Sequence, residues 1–79
     1  MKIQILGTGC PKCRTLTERV ETAVSQMGLD CEIVKVTDIK EIMAFGVMMT
    51  PGLAIDGEVR STGRLLSVEE VRTVLEAAR

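Results

Sequence analysis

The sequence predicts an α/β fold with the element order β-α-β-α-β-β-α and a mixed parallel and antiparallel sheet. Three observations carry this prediction. The apolar run Ile3-Gln4-Ile5-Leu6 gives way within a few residues to apolar positions at helical spacing. Asp56-Gly57, the preferred dipeptide for a type I′ hairpin, separates two short strand-like stretches. Ser67-Val68-Glu69-Glu70 forms a capping box at the start of a last helical pattern. At 79 residues the chain has room for one domain, spanning 1–79, and for a modest core.

Lys2–Leu6 form the first strand. Gly7-Thr8-Gly9 follows as a flexible loop, and Pro11 stands at a first helical position, where a missing N–H is tolerated. From Lys12 to about Met27, the residues Leu16, Val20, Ala23, Val24 and Met27 recur at helical spacing. Arg14, Glu18, Arg19, Glu21 and Gln26 make the wet face between them. Gly28 stops this helix where a left-handed residue is wanted.

Cys31–Val36 reads as a second strand, rich in β-branched residues. The connection from the first strand is long enough for a right-handed crossover, so the two are expected to run parallel. Thr37 or Asp38 caps a short helix carrying Ile39, Ile42 and Met43 and ending near Gly46. Gly52–Ile55 and Glu58–Ser61 are the two antiparallel strands of the hairpin. Val68, Val71, Val74, Leu75 and Ala78 share one face of the last helix. No repeat, linker or low-complexity segment interrupts this order.

Composition narrows the function. Apolar residues make up 46% of the chain and charged residues 27%, the balance of a folded protein rather than a disordered one. Phe45 is the only aromatic residue, so the core is to be built from Ile, Val, Leu, Met and Ala. With a net charge of −1 and interspersed acids and bases, neither a nucleic acid nor an anionic membrane is an expected partner. The apolar stretch at the N-terminus is too short for a signal peptide, and no run approaches a membrane span. The expected location is cytoplasmic, where thiols stay mostly reduced and a close cysteine pair serves catalysis, redox sensing or metal binding rather than acting as a staple.

That pair is Cys10-Pro11-Lys12-Cys13, at the exit of the first strand and the mouth of the first helix. The spacing brings two sulfurs close enough for a small-ring disulfide. Its position puts the first sulfur among the unpaired N–H groups that open the helix, and those donors with the helix dipole stabilise a thiolate. Cys10 is therefore expected to be the more acidic and nucleophilic thiol. Lys12 and Arg14 are nearby cations, and Lys12 in particular is a candidate for lowering the Cys10 pKa.

The element order, the Cys-x-x-Cys pair after the first strand and Met49-Thr50-Pro51 just before the third together resemble the thioredoxin fold over nearly the whole chain. The chain looks like the minimal version, similar to the small, glutaredoxin-sized redox-active disulfide proteins. The resemblance implies a four-stranded mixed sheet with helices on both faces. It also implies a thiol-disulfide oxidoreductase that needs no cofactor or metal of its own. By resemblance, Cys10 attacks, Cys13 is the buried resolving thiol, and Pro51 is a cis-proline facing the disulfide. Thr50 then presents its backbone to an extended substrate in the manner of an added strand. Gly63 matches a glycine near the active-site rim of such folds. The implied partners are a disulfide-containing protein substrate and a reductase such as a thioredoxin-reductase-like flavoprotein, with the protein itself a monomer. The chain departs from thioredoxin in having Gly9 where a tryptophan precedes the motif, Pro-Lys between the cysteines, and no acidic residue in the first strand.

Other readings remain at the level of sequence. Gly7-Thr8-Gly9-Cys10-Pro11-Lys12-Cys13 superficially resembles the loop of small copper metallochaperones, and two thiolates could hold Cu(I). That fold, however, runs β-α-β-β-α-β. A structural Zn(II) site needs four ligands, which three cysteines without histidine supply only if two chains share the ion. A non-catalytic module whose docking is regulated by the disulfide is the third class. Cys31 reads as a small buried hydrophobe in its strand. Phe45, Val47, Met48 and Met49 are either core filling or the lining of an adaptable apolar groove.

Overall fold

In a computed structural model, which describes residues 1–78, the strands and helices follow the expected order. Strands β1 (Lys2–Leu6), β2 (Glu32–Val36), β3 (Gly52–Ile55) and β4 (Glu58–Thr62) form one sheet in the order β2-β1-β3-β4. Helices α1 (Pro11–Met27), α2 (Ile39–Ala44) and α3 (Val68–Ala78) complete the chain. β1 and β2 are parallel, and β1–β3 and β3–β4 are antiparallel. The boundaries differ from expectation by single residues: α1 begins at Pro11, β2 at Glu32 rather than Cys31, and β4 runs on to Thr62.

Alternation along the strands sorts the core onto two faces. Ile3, Ile5, Leu53 and Ile55 point to the face where they meet Leu16, Val20 and Ala23 of α1 and Val71 and Leu75 of α3. Leu6, Val36 and Ala54 point to the other face, against Ile42 of α2 and Val47. Helices therefore cover both sides of the sheet. Each fully buried Leu, Ile or Val contributes about 1.5–3 kcal/mol of hydrophobic free energy, and β3 is buried at every position.

Local chemistry fixes the element ends. Gly28 adopts the left-handed conformation (φ 64°), and its N–H bonds back into the last turn of α1. Asp38 caps α2 by accepting from the Lys40 N–H at 2.8 Å. Asp56 and Gly57 both have positive φ, 51° and 84°, as a type I′ turn requires. The turn is also fastened to β1, because the Lys2 N–H donates to Asp56 Oδ1 and the Gly57 N–H to Gln4 Oε1. At α3 the Glu70 N–H donates to Ser67 Oγ while the Ser67 N–H donates to Glu70 Oε1, closing the capping box. The Ser67 N–H, with Arg64 at 2.7 Å, holds the Glu70 carboxyl below its ordinary range.

Candidate active site

Two chain segments meet at one end of the sheet. On one side β1 ends at Leu6, and the Gly7 N–H continues the pairing by donating to the Val36 carbonyl at 3.0 Å. Thr8 and Gly9 then turn the chain, Gly9 at φ 90°, and deliver Cys10 as the N-cap of α1. Cys10 offers no side-chain cap to the helix, and the first turn carries no acidic residue. Its sulfur is thus left among free amide donors. On the other side Gly52 pairs with Leu6, and the Thr50–Pro51 peptide preceding it is cis. Pro51 is fully buried, and its carbonyl accepts from the Gly63 N–H at 2.9 Å.

The sulfurs of Cys10 and Cys13 lie 2.9 Å apart as hydrogen-bonded free thiols. Their environments differ. Cys10 is half-buried and Cys13 buried. The hydrogen bond from the Cys13 thiol lowers the Cys10 pKa, helped by the main-chain N–H groups of Cys13 and Lys12 and opposed by partial burial. Burial raises the Cys13 pKa first, and the hydrogen bond given to Cys10 adds to it. The pair is therefore asymmetric, with the thiolate favoured at Cys10 and the protonated thiol at Cys13. Lys12 enters this balance through its main-chain N–H; its side chain is exposed.

Gly7 is the residue that sequence reasoning missed. It reads as part of a flexible loop, yet it is buried, and a Cβ built on it would overlap Cys13 Sγ and sit 3.2 Å from Cys13 Cβ. The same position would lie 3.9 Å from Thr50 Cβ, so Gly7, Cys13 and Thr50 form one packed junction. The signal available was only that a glycine ends an apolar strand three residues before a reactive cysteine. Gly63 has φ 67° and lies against Met49, where a Cβ would come within 3.1 Å of Met49 Cβ.

An apolar groove of about 290 Å³ runs beside this junction, lined by Thr8, Ile39, Ile42, Met43, Val47, Met48 and Thr50. Val47 and Met48 line it, one of the two readings the sequence left open, although Val47 also belongs to the α2-side core, against which Phe45 packs. Ile39 and Met43, read from sequence as the apolar side of α2, are 63% and 62% exposed and form its far wall. Cys31 stands apart, half-buried against the α1–α3 core just before β2, with its pKa raised by that burial.

A family profile described as thioredoxin domain matches residues 1–76. The chain belongs to the thioredoxin domain family. Thioredoxin of Methanothermobacter thermautotrophicus is 43% identical over 75 residues, covering 95% of this chain and 97% of that protein. Thioredoxin of Methanocaldococcus jannaschii is 48% identical over 75 residues, covering 95% of this chain and 86% of that protein. As a thioredoxin-family protein, the chain is a thiol-disulfide oxidoreductase. Its β-α-β-α-β-β-α order separates it from the metallochaperone architecture. Among the described residues no three of His, Cys, Asp and Glu gather into a metal-binding group. Nor is any described helix long and apolar enough to cross a membrane.

Proposed function

We propose that Cys10 is the attacking thiolate and Cys13 the resolving thiol of a protein disulfide reductase acting as a monomer in the cytoplasm. The observation that carries this is the asymmetry of the pair: an accessible thiol of lowered pKa at a helix N-terminus, 2.9 Å from a buried thiol of raised pKa. Cys10 Sγ attacks one sulfur of a target disulfide; that S–S bond breaks and one target cysteine leaves as a thiolate, which takes up a proton. Cys13 then loses its proton and attacks Cys10 Sγ. The Cys10–Cys13 bond forms, the second target thiolate leaves, and two electrons have passed to the target. A reductase of the thioredoxin-reductase-like flavoprotein class returns the pair to the dithiol.

Thr50 packs at the Gly7–Cys13 junction just before the buried Pro51, which supports an extended target segment lying along the Thr50 backbone. The groove walled by Met43 and Met48 takes an apolar side chain of that segment, for which flexible thioethers repack readily. The test is trapping. With a disulfide-bonded protein substrate, C13S accumulates a mixed disulfide on Cys10 and C10S accumulates none. Equal trapping by both variants overturns the assignment of roles.

A further inference from the structure

Three of the five methionines gather beside the active site, and all three are exposed. Met43 is 62% and Met48 90% exposed, and both line the groove that reaches Thr50. Met49, 64% exposed, lies against Gly63. The other two sit elsewhere: Met1 precedes β1, and Met27 is half-buried against the α1–α3 core. An apolar groove wall needs no sulfur, since leucine or isoleucine would line it as well. A thioether adds a lone pair that can take up one oxygen atom, which turns a flexible apolar side chain into a polar one. Burial is what keeps oxidants from methionine sulfur, and Met43 and Met48 have little of it.

We propose that Met43 and Met48 are modification sites for hydroperoxides, and that their sulfoxides close the groove to apolar substrate segments while the dithiol stays competent. This rests on the docking role given to the groove above. The sulfur lone pair attacks one peroxide oxygen. The O–O bond breaks, an S–O bond forms, and the proton of the transferred hydroxyl passes to the second oxygen, which leaves as water or an alcohol. The thioether gives up two electrons and the peroxide gains them. Thiol-dependent sulfoxide reductases reverse the step, taking two electrons from a dithiol and releasing the oxygen as water. Once Cys10 and Cys13 are bonded to each other they no longer compete for peroxide, and the exposed thioethers beside them become the available sulfur. Modification therefore accumulates when the supply of reductant has failed.

An apolar side chain seated on a sulfoxide covers a polar S–O group that water would otherwise bond. The low end of that penalty corresponds to a roughly fivefold rise in KM, about 1 kcal/mol at 1.4 kcal/mol per tenfold. A small aromatic disulfide reaches Cys10 without filling the groove, so its reduction is untouched.

The protein is first oxidised to the Cys10–Cys13 disulfide, which protects those sulfurs, and is then treated with hydrogen peroxide. Catalase removes the excess, dithiothreitol reopens the disulfide, and peptide mass analysis locates each added oxygen. Met43 and Met48 are expected to be oxidised well before Met27. The KM for insulin, with dithiothreitol as electron donor, is expected to rise about fivefold, and methionine sulfoxide reductases to bring it back. Reaction of the desalted, reduced protein with 5,5′-dithiobis(2-nitrobenzoate) is expected to stay as before treatment. M43L/M48L should show no peroxide-induced rise relative to its own untreated control, whereas M49L should still show it. Oxidation of Met27 as fast as Met48 overturns the proposal. So does an unchanged KM after Met43 and Met48 are oxidised, or a rise that persists in M43L/M48L. M48Q, a polar side chain without any oxidant, separates this idea from the docking role. A raised KM in M48Q with Met48 resistant to peroxide overturns the modification alone, and an unchanged KM in M48Q overturns the docking role as well.

Discussion

Replacing Gly7 with alanine tests whether the end of β1 sets the position of the buried sulfur. The added Cβ would overlap Cys13 Sγ and crowd Cys13 Cβ at 3.2 Å. The backbone has little room to retreat, because the Gly7 N–H is bonded to Val36 at 3.0 Å and the preceding Leu6 is paired with Gly52. Either Cys13 changes rotamer, away from Cys10, or the strand end shifts. Overpacking of this kind costs about 1–3 kcal/mol, and each kcal/mol lowers the Tm of a domain this size by about 4–8 °C. Thermal unfolding of the reduced protein reads the first effect. A redox titration in graded dithiothreitol, with alkylation and peptide mass analysis, reads the second: the Cys10–Cys13 disulfide of G7A forms less completely than that of the parent. G9A is the comparison, since Gly9 has φ 90° and open space around its Cβ position. It bears a backbone cost of about 1–2 kcal/mol with the sulfurs undisturbed, so its titration matches the parent. A G7A protein with parental Tm and parental titration refutes this account of the junction.

The order of thiol reactivity with pH follows from the pKa directions. Alkylation requires the thiolate, and the Cys10 pKa is lowered while those of Cys13 and Cys31 are raised. Iodoacetamide labelling followed by mass spectrometry is therefore expected to modify Cys10 at a lower pH than either of the others; Cys31 labelling first contradicts the site. M48K places a charge on the groove wall at a side chain 90% exposed, so stability should stay within about 0.5 kcal/mol of the parent. Its KM for a disulfide-bonded protein substrate is expected to rise roughly tenfold, about 1.4 kcal/mol, with reduction of a small aromatic disulfide unaltered. An unchanged KM removes the groove from substrate docking.

Much of the fold was legible because its signals are local. The Asp56-Gly57 turn, the Gly28 stop and the Ser67–Glu70 capping box each depend on the backbone preferences or short hydrogen bonds of a few adjacent residues. Strand boundaries were less so. Whether Cys31 or Glu32 opens β2 depends on pairing with β1, since the ladder begins at Lys2↔Glu32. Phe45 and Met48 show the same limit within the site. Both are large and apolar in one short segment, but one turns toward the α2-side core and the other into the groove. Gly7 was illegible as a site residue, because its role comes from contact with Cys13 across elements.

By itself the sequence determined the α/β order, the hairpin and helix ends, and the chemistry of a Cys-x-x-Cys pair opening a helix, all of which follow from hydrophobic period, turn residues and neighbouring amides. Only the tertiary structure decided which thiol is buried and how closely β1 and the Thr50–Pro51 segment enclose it. Those features arise where strands distant in sequence are brought side by side, and burial and electrostatics are properties of that assembled environment rather than of any residue alone.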